Sequence, residues 1–185
     1  MRLGGSIVGP WETPAQWEQL LIQSRFRAVT APFNCHTPRD DVREYMDIAR
    51  RNDVTIAEIG VWKNPFDPDP RAAAEALAYA RGQLALADEL GIECCVNIVG
   101  TASRAGWDAA DRSNFTPETY ARIVESIRGI IDGVQPKRAF YCIEPMPWMV
   151  PDSPEAYVQL LRDVDRPQFG AHMDFVKIPS RRFPR

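Results

Sequence analysis

Three residues in the last quarter of this 185-residue chain are of types that hold a divalent cation: Glu144, His172 and Asp174. Glu144 follows the apolar run Ala139-Phe-Tyr-Cys-Ile, and His172 and Asp174 lie within Phe169-Gly-Ala-His-Met-Asp-Phe175. Both runs read as strands. Side chains on a strand alternate between faces, so Phe140, Cys142 and Glu144 share one side of the first run, and His172 and Asp174 one side of the second. Two carboxylates and an imidazole converging at one sheet rim suit a divalent cation with oxygen-rich coordination. Any one of them alone would be as much at home in a rim ion pair. Their joint placement at the ends of consecutive strands points to a site.

Other candidates gather at further strand ends. His36, in Asn34-Cys-His-Thr-Pro38, reaches the same mouth or caps its own loop. Glu58 reads as a site residue, with an ion pair to a neighbouring strand as its structural alternative. Asn97 reads as a buried network residue that bonds strand-end backbone. Trp11, Trp62, Trp107 and Trp148 sit in or beside the strand-to-helix connections. Aromatic faces stack on the apolar faces of sugars, so clustered loop tryptophans suit a saccharide pocket; each alone serves equally well as a cover for the mouth. Trp148 and Met146 are favoured because their proline-rich loop follows Glu144 directly. Trp107 stands between Arg104 and Arg112, which read as solvated surface arginines.

The elements that must position these residues alternate regularly. Apolar runs at Leu3–Gly9, Ala28–Phe33, Thr55–Gly60, Cys94–Gly100, Ala139–Pro145 and Phe169–Phe175 predict strands buried on both faces. Helical periodicity covers Pro14–Ser24, Arg39–Asn52, Arg71–Leu90, Pro117–Ile131 and Pro154–Asp163. Thr13-Pro14, Thr116-Pro117 and Ser153-Pro154 each set a capping hydroxyl before a proline at the first helical position, and Gly91 stops the long Ala-rich helix. Repeated βα units mean a parallel sheet. No G-x-G-x-x-G turn follows the first strand, which disfavours an open doubly wound sheet. Polar groups at several strand ends favour a (β/α)8 TIM-type barrel, whose chemistry lies at one face. Six strands are written where a closed barrel has eight. We therefore expect a single incomplete barrel domain over residues 1–185, lacking its last two strands, with 176–185 as an irregular basic tail.

Composition narrows the partners. A net charge of −3 and a pI near 5.5, with no long run of Lys or Arg, give no attraction to phosphate backbones, so nucleic acid is not expected. Cys35, Cys94, Cys95 and Cys142 lie in apolar runs without Cys-x-x-Cys spacing and read as reduced thiols of a cytoplasmic protein. No leader or membrane-spanning stretch is expected. The unpaired edge left after a sixth strand predicts association, with a homo-oligomer as the expected state.

Glu58-Ile-Gly, the Asn97 strand, Ile143-Glu-Pro145 and His172-Met-Asp174 together resemble the xylose-isomerase-like barrels, the sugar phosphate isomerase/epimerase group that includes ketose 3-epimerases and inosose dehydratases. The resemblance extends through Phe175. It implies a metal-dependent isomerase or epimerase acting on a small-molecule carbohydrate. Mn²⁺, Mg²⁺ or Co²⁺ would be held by Glu144 and Asp174, with His172 contacting substrate oxygens and Glu58 facing the sugar. Two further ligands of the family, a histidine and a glutamate from later strands, have no counterpart, and that glutamate is also an acid/base partner in the epimerases. Elementary chemistry agrees with the assignment. Removing a proton beside a carbonyl leaves an enediolate whose charge a cation stabilises. A positioned carboxylate that moves the proton contributes about 10²–10⁴-fold. Glu144 is the candidate for both tasks. The alternative is a non-catalytic barrel fragment or subunit completed by another chain. The histidine-rich DNA-repair endonuclease branch of the same superfamily does not fit a chain with 2 histidines and no basic surface.

Overall fold

The computed structural model describes residues 2–177. Its elements are β1 (Gly4–Gly5), α1 (Pro14–Ser24), β2 (Ala28–Thr30), α2 (Arg39–Arg51), β3 (Thr55–Gly60), α3 (Pro70–Leu90), β4 (Cys94–Asn97), α4 (Pro117–Val134), β5 (Phe140–Ile143), α5 (Pro154–Val164) and β6 (Phe169–Ala171). A short 3₁₀ segment, Arg112–Phe115, leads into α4. All neighbouring strands pair in parallel, in the order β1-β2-β3-β4-β5-β6. A strictly sequential order is the winding of a TIM-type barrel; doubly wound sheets reverse their order at a switch point.

Local chemistry sets the helix starts. Thr13, Thr116 and Ser153 each accept a hydrogen bond from a first-turn N–H, and a proline follows each. Asp69 does the same before Pro70, a fourth instance that starts α3 one residue earlier than the sequence pattern predicts. Gly91 ends α3 in the left-handed conformation at φ 74°, where a side chain would be strained.

The core lies between the sheet and its helices. Val29, Ile56, Ile59, Cys95, Tyr141 and Ile143 on the strands pack with Trp17, Ile48, Leu84, Ile123, Ile130 and Leu160 on the helices. The opposite face is closed only in part. Val96 and Cys142 on it are buried, whereas Phe140 at the start of β5 is 41% exposed and Glu58 on β3 is half-buried. β3 therefore does not show the two-sided burial expected from its sequence.

The strands are also shorter than expected. β1 pairs only through Gly4 and Gly5, and Leu3 and Val8 beside it are exposed. β4 stops at Asn97 and β6 at Ala171, so His172 and Asp174 sit past the strand, where strand alternation no longer fixes their direction.

One irregularity bears on the site. Val29 pairs with Ile56, but Thr30 pairs with Glu58, leaving Ala57 as an extra residue in β3. This bulge explains how Ile56 and Ile59, three apart, both enter the same core. Strict alternation would have sent Glu58 to the helix-covered face with Ile56. The bulge turns it to the inner face, the re-aiming that bulges near binding sites commonly provide.

Candidate metal and substrate site

Glu144 directly follows β5 and is fixed by its backbone. Its N–H donates to the Asn97 carbonyl at 2.8 Å, and the preceding Ile143 carbonyl accepts from the His172 N–H at 3.1 Å and from the Tyr157 hydroxyl of α5. β4, β5, α5 and the segment after β6 are thereby tied together at one point. The Glu144 side chain is almost wholly buried, at 7% exposure.

His172 stands between two carboxylates. Nε2 lies 2.8 Å from Glu58 Oε2, and Nδ1 lies 3.6 Å from Glu144 Oε2, beyond hydrogen-bond reach. Nδ1 is buried without a hydrogen-bond partner. The bond to Glu58 raises the imidazole pKa above its ordinary value, against the opposing effect of burial. With Nε2–H donating to Glu58, the neutral ring keeps its lone pair on Nδ1, directed toward Glu144.

Asp174 lies beyond β6 in the turn that follows it. Its Oδ1 accepts from the Val176 N–H at 2.9 Å, and its Oδ2 is 3.8 Å from Lys177 Nζ. The same ammonium ion-pairs with Glu144. One cation thus touches both carboxylates. Lys177, assigned from sequence to an irregular basic tail, reaches into the site; the remainder of that tail, 178–185, lies outside the described residues. The two carboxylates thus share one positive charge, and the buried Nδ1 of His172, without a hydrogen-bond partner, lies 3.6 Å from the Glu144 carboxylate.

Cys94 is not among the site candidates of the sequence, where it reads as a reduced, buried thiol. It is the register partner of Glu58 in the adjacent strand, and its sulfur, a Glu58 oxygen and a His172 nitrogen all lie within 4.8 Å of one another. A hydrogen bond with Cys142 and then burial push its thiol pKa strongly upward. Register reasoning from Glu58 would have found it; composition could not. Asn97 takes its expected network position, accepting from the Lys63 N–H and donating to the Lys63 carbonyl and the Tyr141 hydroxyl.

The remaining candidates fall elsewhere. Glu58 lines a recess of about 380 Å³ together with Asn34, Trp62 and Tyr79, and those last three also line a larger cavity of about 1090 Å³. His36 and Trp107 belong to that larger cavity, His36 against the Tyr79 ring at 5.6 Å. Neither is brought to the carboxylate cluster. Trp148 donates its indole N–H to the Asp108 carbonyl at 2.7 Å and accepts from Asn114 on its own carbonyl, so it clasps the connection after β4 to the one after β5. Trp62 separates recess from cavity and holds φ 48°, uncommon for a bulky side chain.

Residues 22–178 match the sequence profile of the xylose isomerase-like TIM barrel family. The chain belongs to that family. Solved structures agree on the fold. A xylose isomerase-like TIM barrel protein from Mycobacterium smegmatis in complex with magnesium superposes with a TM-score of 0.70 at 16% identity, over 94% of this chain and 64% of its own. D-psicose 3-epimerase from Clostridium cellulolyticum H10, solved with D-tagatose, gives 0.66 at 15% identity over 92% and 62%. D-allulose 3-epimerase from Methylomonas sp. gives 0.66 at 16% identity over 93% and 62%. The chain thus spans less than two thirds of the length of these solved proteins. No curated protein matches the sequence. No helix among the described residues is long and apolar enough to cross a membrane.

Proposed function

We propose that this xylose isomerase-like barrel binds a divalent metal ion through Glu144 and Asp174 and serves an isomerase or epimerase reaction on a sugar or sugar derivative, by proton transfer next to a carbonyl. The observation that carries the reading is the sharing of one ammonium by those two carboxylates beside the unpartnered Nδ1 of His172. A cation held there supplies charge stabilisation to a carbonyl whose neighbouring carbon is losing its proton. The chain's own groups do the rest. Glu144, fixed from both sides by backbone bonds, is the candidate to take and return the proton. His172, steadied by Glu58, is the candidate contact for substrate oxygens. The recess lined by Glu58 and Trp62 offers an aromatic face to the sugar, and the adjoining cavity leaves room for a substituent on it. Mn²⁺, Mg²⁺ and Co²⁺ are the candidate ions.

Isothermal titration of the protein with Mn²⁺ tests this. We expect saturable binding that Glu144→Gln weakens at least tenfold. Absence of binding, or weak binding that the substitution leaves unchanged, overturns the reading.

A second reading is favoured by Phe140, an apolar side chain exposed on the inner face at the start of β5. Exposed apolar surface on a sheet face invites cover, and another chain, including a second copy of this one, would complete the site. Light scattering after size exclusion separates a monomer from such an assembly.

A further inference from the structure

Beside the oxygen donors of Glu144 and Asp174 lies a chemically different set. Glu58 on β3, Cys94 on β4 and His172 just after β6 each offer one ligand atom, all within 4.8 Å of one another. Glu58 and Cys94 are register partners across adjacent parallel strands, so the rigid sheet sets their spacing. The β3 bulge brings Glu58 to this face, and the bond to Nε2 orients the ring. In a tetrahedral shell with metal–nitrogen and metal–oxygen distances of about 2.0–2.2 Å and metal–sulfur of about 2.3 Å, ligand atoms stand roughly 3.3–3.9 Å apart. The trio is within about 1 Å of that spacing. A carboxylate, a thiolate and a neutral imidazole carry two negative charges, matching a divalent ion.

Donor softness separates the two sets. Thiolate and imidazole favour Zn²⁺ and its heavier congener, whereas carboxylates alone favour Mg²⁺ and Mn²⁺. We propose that Glu58, Cys94 and His172 form a distinct site for a thiophilic divalent cation of the Zn²⁺ type, next to the oxygen-rich centre and independent of the reading given for it. The two sites meet only at His172, whose Nε2 faces one and whose Nδ1 faces the other. The site itself does not depend on that reading; where the reading holds, a thiophilic ion bound there also withdraws His172 and Glu58 from contact with a sugar and so inhibits the reaction.

The test is titration of the full chain with Cd²⁺, and separately Co²⁺, under reducing conditions, following the sulfur-to-metal charge-transfer absorption in the ultraviolet. We expect a band that saturates near one equivalent, disappears in Cys94→Ser and Cys94→Ala, needs at least tenfold more metal in Glu58→Gln and His172→Gln, and persists in Cys142→Ser and Glu144→Gln. Circular dichroism identifies which of the two Cys94 variants is folded. No band in the parent protein, a band unchanged in a folded Cys94 variant, or one lost in Cys142→Ser but kept without Cys94 overturns the site. Because Glu144→Gln is expected to keep the band, failure of the oxygen-rich centre and failure of this site are separately visible.

Discussion

His172 and Glu58 meet at 2.8 Å although 114 positions separate them in the chain. Glu58 lies on β3 and His172 just past β6, with β4 and β5 between them, so the bond spans the inner face of the sheet. The neighbouring Glu144 carboxylate makes His172 the spacer between two acids. Removing either partner of the pair leaves the other part-buried group poorly matched. Glu58→Gln and His172→Asn should each destabilise the protein. Their double mutant should lose less than the sum, with a coupling energy of about 0.5–3 kcal/mol, measured by urea unfolding. Additive losses would show that the bond contributes nothing to stability.

This pair also shows how far the sequence could be read. Glu58, Glu144, His172 and Asp174 were each legible as polar groups at the ends of apolar runs, because strand ends are where a βα architecture leaves side chains free to do chemistry. Which of them touch was not legible. The single-residue bulge at Ala57 decides which face Glu58 occupies, and nothing in Thr55–Gly60 marks it. Lys177 was hidden for another reason: its position past β6 looked like tail, and only the turn after Asp174 carries it back to the carboxylates. Tryptophans at loop positions were visible as a group. Their separation into a wall (Trp62), a cavity lining (Trp107) and a clasp (Trp148) depends on loop conformations that alternating patterns do not encode.

Lys177 competes for the place where a metal ion would sit. Its ammonium pairs with the nearly buried Glu144 and approaches Asp174, so a divalent cation has to displace it before both carboxylates can turn to the metal. Lys177→Met keeps much of the aliphatic stem and removes the charge. Mn²⁺ affinity, measured by isothermal titration, should rise by about tenfold, equivalent to ~1.4 kcal/mol. A fall in affinity would mean that Lys177 organises the carboxylates for the metal and does not block them.

The Trp62 wall depends on a missing side chain. A Cβ added at Gly60 would collide with the Trp62 indole, so only glycine leaves room for the ring in its present position. Gly60→Ala should displace the indole from the boundary between recess and cavity, with a shift in tryptophan fluorescence and a loss of binding to ketose sugars of about fivefold. Trp62→Ala should weaken the same binding by a comparable factor, since base-like stacking of one aromatic face contributes on the order of 1 kcal/mol. Unchanged sugar binding in both variants would remove Trp62 from the substrate site.

Asp88, at the end of α3, determines how β5 begins and therefore where Glu144 ends up. Its Oδ1 accepts from the backbone N–H groups of Lys137, Arg138 and Ala139 at 2.8, 2.6 and 2.9 Å. Burial alone would raise the carboxyl pKa, but those three donors, with the Arg138 charge, outweigh it and hold the pKa below its ordinary 3.8. A carboxyl whose folded pKa is depressed contributes stability that is fully present above the unfolded value and is lost as pH falls through the folded one. The contribution should therefore be constant from neutrality to about pH 5 and shrink as pH drops below about 4. Asp88→Asn keeps an acceptor oxygen without the charge, and its stability deficit against the parent should be largest near pH 7 and diminish in acid. Asp88→Ala removes the acceptor altogether and should cost about 1 kcal/mol at neutral pH, since of the three donors only the part-buried Ala139 N–H is left without ready access to water. Urea unfolding of the three proteins between pH 3 and pH 7 measures this. A deficit for Asp88→Asn that is independent of pH would show that the Asp88 charge has no part in fixing the start of β5.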